Sequence, residues 1–193
     1  MVHHFLTFEN AVEMTNQLIE ALNSGELDFE LDQLGKKFNI KFNPGSNYHV
    51  DQINRNCPEC SGCHAGGCIL GCFKHSKSSS VLCYWDQALE EIIGSKLVVH
   101  EIFHLMFEQG FTSNLSEDEQ FELSEKFAQY GEKNFTPKLV FLGDTVVIEG
   151  LTINEIGGSI SSGFFLAIGF SAFIILLFLI FGKTPYSIGK KSR

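Results

Sequence analysis

The stretch KLVVHEIFHLMFEQ at positions 96–109 constrains this chain more than any other. Leu97, Val98, Val99, Ile102, Phe103, Leu105, Met106 and Phe107 surround His100, Glu101 and His104. That density of apolar side chains predicts a helix buried over most of its circumference. Histidines four residues apart lie on one helix face, a turn from each other. Burying two imidazoles and a carboxylate without partners is costly. A divalent cation resolves the cost: both imidazoles ligate Zn2+, and Glu101 stands where it can take a proton from a water beside the ion. A core helix with two hydrogen-bonded histidines is the competing reading.

Two histidines do not complete a catalytic zinc site, which takes three protein ligands and keeps one position open. No histidine follows His104, so a carboxylate is the remaining common ligand. Ser116 and Glu119 form a capping-box pattern that starts a helix running to about Tyr130, with Gly131 past its end. That helix carries Glu117, Asp118, Glu119, Glu122 and Glu125, and an apolar arc of Phe121, Leu123, Phe127, Ala128 and Tyr130. At about 100° per residue, Glu125 borders the arc next to Phe121 and Ala128, whereas Glu122 lies deeper in the polar face. Glu125 is therefore the favoured third ligand and Glu122 the second choice. As solvated residues, the five acids would instead only offset the helix dipole.

At this point the chain resembles the zincin metallopeptidases that pair HExxH with a glutamate on a second helix. His100-Glu101-Ile102-Phe103-His104 matches the first element, and Glu125-Lys126-Phe127-Ala128 is similar to the E-x-x-A element of HtpX-type membrane peptidases. Gln129 stands where that element usually continues with Asp, and the HtpX group has several membrane spans. The resemblance implies zinc-dependent hydrolysis of peptide bonds, with Glu101 as the base that later returns its proton to the leaving amine. Tyr130 could assist an oxyanion, but a packing role suits it better.

The charge is unevenly distributed. The chain has 193 residues, 23 acidic and 14 basic, for a net charge of −9. Every acidic residue lies at or before Glu155, and beyond it the charged residues are Lys183, Lys190, Lys191 and Arg193. An acidic body lacks the basic footprint that phosphate binding needs, which argues against nucleic acid as a main partner. The run FFLAIGFSAFIILLFLIF at 164–181 sits inside an uncharged stretch. A bilayer core of ~30 Å needs about 20 helical residues, so a single transmembrane helix in contact with lipid is expected over 160–182. The opening MVHHFLTFENAVEM does not read as a signal peptide. The basic tail at 183–193 favours an exported body by the positive-inside rule. Exporting the body without a signal is the larger demand, so a cytosolic body on a C-terminal anchor is expected.

Cys57, Cys60, Cys63, Cys68 and Cys72 crowd one segment, with Cys83 further on and His64 and His75 nearby. C-x2-C-x2-C is a metal-ligand spacing. A second, structural Zn2+ site including Cys57, Cys60, Cys63, Cys68, Cys72 and His75 fits, as do an iron–sulfur cluster or disulfides. A reducing cytosol favours metal.

Elsewhere the pattern predicts helices over 8–23, 31–38 and 86–93, strands near 40–42 and 80–85, and an irregular loop over 46–79. Residues 136–150 read as a hairpin around Gly143-Asp144, or as an ordered linker to the membrane. The expected fold is α+β. A zincin-like helical domain with a small sheet covers 1–135, with a cysteine-rich insert at 57–75 and a strand-like segment at 136–159 before the span. Two functions follow. One is a membrane-anchored zinc metallopeptidase acting on a membrane-proximal peptide or protein. The other is a non-catalytic, metal-stabilised subunit of a membrane protein complex. Glu101 discriminates them, because a structural site needs no base beside its first histidine. A redox protein built on the cysteine loop is a third and weaker idea.

Overall fold

Local signals set the helix boundaries. Thr7 caps α1 (Phe8–Asn23), its side chain accepting from the Asn10 N–H at 3.1 Å. α2 (Asp28–Phe38) starts three residues before its first buried position, Leu31, and stops at Asn39, which adopts left-handed backbone with φ 55°. α3 (Asp86–Leu89) is short, and α4 (Gly94–Gly110) carries the histidines. The Ser116–Glu119 capping box opens α5 (Glu117–Asn134). This helix runs a turn beyond Tyr130, because Gly131 lies inside the helix contact and does not end it.

The computed structural model describes residues 6–57, 63–64, 67–68, 71–76, 79–90 and 94–153. The expected membrane span at 160–182 and the basic tail lie outside the described residues. No helix among the described residues is long and apolar enough to cross a membrane.

Five helices and four small sheets among the described residues make an α+β fold. β1 (Lys41–Phe42) pairs antiparallel with β7 (Phe111–Thr112). In the largest sheet, β6 (Ser79–Tyr84) lies between β2 (Gln52–Arg55), which is parallel to it, and β5 (Gly71–Ser76), which is antiparallel. β3 (Cys63–His64) and β4 (Gly67–Cys68) form a two-residue ladder. The stretch expected to be irregular thus supplies two strands of the main sheet. Neither alternates apolar and polar residues clearly, and both are ordered by pairing with the apolar β6. β8 (Phe135–Leu142) and β9 (Thr145–Ile153) form the hairpin, turning at Gly143 with φ 66°. Gln17 of α1 fastens the hairpin to the body: its amide donates to the Val146 carbonyl at 2.9 Å and accepts from the Ile148 N–H at 2.8 Å.

α4 occupies the centre. Leu97, Val98, Val99, Ile102, Phe103, Leu105, Met106 and Phe107 are all buried, each favouring the folded state by roughly 1.5–3 kcal/mol before entropy is counted. Phe127 of α5 joins the two helices. It is fully buried, with ring centroids 5.3 Å from Phe103, 5.6 Å from Phe107 and 5.1 Å from Phe111. Ser124, Phe127, Ala128 and Gly131 form the buried stripe of α5. A Cβ on Gly131 would stand 2.3 Å from the Phe103 ring, so only glycine permits this approach. Phe121, expected in the apolar arc, is 74% exposed at the edge of that stripe.

Candidate metal centre

The stripe of small residues on α5 brings its carboxylates against the histidine face of α4. His100 Nε2 and His104 Nε2 are 3.2 Å apart. Glu125 Oε2 lies 3.5 Å from His104 Nε2, and Oε1 lies 3.9 Å from His100 Nε2. One ligand atom from each of the three residues falls within 4.8 Å of the others. A tetrahedral zinc with bonds of about 2.0–2.1 Å has ligand–ligand edges of about 3.3–3.4 Å, so the spacing fits that ion. Glu122, the second choice, has a 74% exposed side chain and stands 3.7 Å from Lys126.

Each of the three groups has its own partner on α5. Ser124 Oγ lies 2.8 Å from His104 Nδ1. Gln129 Nε2 donates to Glu125 Oε1 at 2.9 Å. Glu132 Oε2 lies 3.4 Å from His100 Nδ1. The residue that departs from the HtpX-type pattern therefore holds the Glu125 carboxylate directly. Sequence reasoning missed Ser124 and Glu132. Their spacing was the available signal: Ser124 stands on the buried stripe of a strongly acidic helix, and Glu132 lies seven residues after Glu125, on the same face. Tyr130 is accounted for by packing. Its ring meets Phe38 at 5.5 Å and takes the Lys37 ammonium at 4.2 Å.

Glu101 packs against β5 of the sheet and stands close enough to Glu125 to feel its charge. It is 3% exposed, and its Oε2 has no hydrogen-bond partner among the protein atoms. The Phe73 N–H of β5 donates to its carboxylate. A Cβ on Gly71 would come within 2.9 Å of Oε1 and 3.1 Å of the Cys83 carbonyl, so β5 needs glycine to pass this close. Burial, reinforced by the Glu125 charge, pushes the Glu101 carboxyl up to about 8. Burial and the neighbouring His100 push His104 down to about 4.

These two shifts oppose each other in the metal-free protein. Glu101, raised in the folded state, contributes stability that is full below about pH 4.5 and is lost as pH rises toward 8. His104, lowered, withholds stability at low pH and restores it as pH rises from about 4 to 6.5. Of these two groups, only Glu101 acts between pH 6.5 and 8. In chelator, unfolding free energy should fall over that window with a slope approaching ~1.4 kcal/mol per pH unit. Glu101→Gln should flatten the slope, as read by urea titration at each pH.

The cysteines depart from expectation. Cys57 and Cys83 form a disulfide with Cα atoms 6.0 Å apart, and Cys72 is also disulfide-bonded. No cysteine among the described residues is free. The second metal site is corrected to this extent: Cys57 and Cys72 have their sulfurs in disulfides and cannot serve as thiolate ligands. The parallel pairing of β2 with β6 sets Asn54 opposite Cys83, which brings Cys57, two residues past the end of β2, into reach. Cys60 lies outside the described residues, as do the side chains of Cys63, Cys68 and His75.

No protein-family model, no curated protein and no solved structure matches the chain.

Proposed function

We propose that the chain is a zinc-dependent peptidase whose ion is held by His100, His104 and Glu125. One observation carries this reading: two imidazole nitrogens and a carboxylate oxygen, each able to ligate a metal, lie within 4.8 Å of one another. Glu132 Oε2 and Ser124 Oγ stand where they can accept from Nδ1 of His100 and of His104, an arrangement that would leave both Nε2 atoms bare. Both Nε2 lone pairs then face each other and the Glu125 carboxylate across 3.2–3.9 Å. A cation is the natural occupant of such a set.

A bound zinc would supply Lewis acidity toward a water and a substrate carbonyl. Glu101 is held high enough in pKa to accept a proton near neutral pH and to release it to a leaving amine. The Phe73 N–H fixes one end of its carboxylate, and the unpartnered Oε2 is the atom available for the proton.

The experiment is metal analysis of the purified full chain beside His100→Ala and Glu125→Ala, with cleavage of a denatured protein as the second readout. About one zinc per chain in the wild type, its loss from both variants, and chelator-sensitive cleavage are expected. Zinc without cleavage of any offered protein would move the reading to a metal-stabilised subunit of a complex. No bound zinc would end it.

The disulfides support a further part of this proposal. Cystines persist in oxidising compartments, which favours a body outside the reducing cytosol and a basic tail left inside if 160–182 spans a membrane. Membrane-proximal peptides or proteins are the substrates this arrangement would reach.

A further inference from the structure

Each histidine presents Nε2 to the centre, so each needs its Nδ1 held in the protonated form. Ser124 serves His104 at 2.8 Å. Gln129, one turn after Glu125, is exposed and bonded to Glu125. The carboxylate facing His100 Nδ1 comes from a turn further on.

We infer that Glu132 is the positioning residue of His100, locking its Nδ1–H tautomer and turning its Nε2 lone pair toward Glu125 and His104. The inference rests on the zinc reading for its purpose, though not for its geometry. Seven residues amount to nearly two full turns, so Glu125 and Glu132 project from one face of α5, about 10.5 Å apart along the axis. The His100 imidazole lies between the two carboxylates, its Nε2 3.9 Å from Glu125 and its Nδ1 3.4 Å from Glu132. The His100 side chain is 18% exposed and that of Glu132 is 40% exposed, so the contact lies at the edge of the buried site. A carboxylate behind a ligating imidazole fixes its tautomer and orientation. Gln129, which brings an amide and no charge, steadies Glu125 but cannot do this for His100.

The test uses the full chain and two readouts. Nitrogen-15 NMR of the histidine rings in the metal-free protein reports the tautomer, and competition with a chromophoric chelator reports Zn2+ affinity. Glu132→Ala should move His100 away from the Nδ1–H form and weaken Zn2+ binding by roughly 10–100-fold. Glu132→Gln, which keeps an acceptor oxygen and loses the charge, should fall between. Glu122→Gln, at an exposed position, should match the wild type. An unchanged tautomer in Glu132→Ala overturns the inference, as does unchanged affinity in a chain that binds zinc. If the wild type holds no zinc, the peptidase reading fails by itself and the tautomer alone decides the role of Glu132.

Discussion

Glu101→Gln should retain its zinc and lose peptide cleavage by roughly 10²–10⁴-fold, the usual contribution of a positioned general base. The amide has the shape of the carboxyl group it replaces. It can still accept from the Phe73 N–H and fit beneath Gly71, so neither α4 nor β5 has to move. It cannot take up a proton near neutral pH, which is the one property the substitution removes. Since Glu101 does not belong to the His100–His104–Glu125 group, metal content should stay near that of the wild type. His100→Ala should lose both the ion and cleavage. Steady-state cleavage of a fluorogenic peptide beside metal analysis separates the two variants. Full activity in Glu101→Gln would remove this residue as the base, and with it the main reason to prefer an enzyme over a metal-stabilised subunit.

What the sequence made legible depended on how local the information was. The α4 motif, the α1 limits, the Ser116–Glu119 box and the hairpin at Gly143 are each written within a few residues, by period, cap or turn chemistry. Preference for Glu125 over Glu122 also followed from local geometry, because the edge of an apolar arc can be computed from helical spacing. The contacts beyond the three ligand residues could not be read this way. Ser124 and Glu132 acquire meaning only once α5 is docked on α4, and the docking depends on Gly131 clearing the Phe103 ring. Gly131 looked like a helix stop because a glycine near a helix end is normally one. The cysteines misled for a related reason. Close spacing in sequence suggested one shared ion, whereas the pairing of β2 with β6 joined Cys57 to Cys83, 26 residues away.

Removing that disulfide should uncouple metal binding from cleavage. Closing a loop of 26 residues restricts the unfolded chain by about 3.5 kcal/mol at 25 °C in the loop-entropy treatment. Cys57→Ala combined with Cys83→Ala should lose stability of about that size, measured by urea unfolding. The functional effect comes through the sheet. Cys83 sits on β6 opposite Cys72 of β5, and Gly71 and Phe73 on either side of Cys72 are the residues that touch Glu101. The ligands, by contrast, stand on α4 and α5, joined by the Phe103–Phe127 packing and by their own α5 partners. Loosening the sheet therefore frees the base while the metal cradle persists. The double variant, and the wild type treated with reductant, should keep zinc affinity within a few-fold and lose most of their cleavage. Equal losses of both would mean that the sheet and the helix pair unfold as one unit, and that β5 has no separate part in holding Glu101.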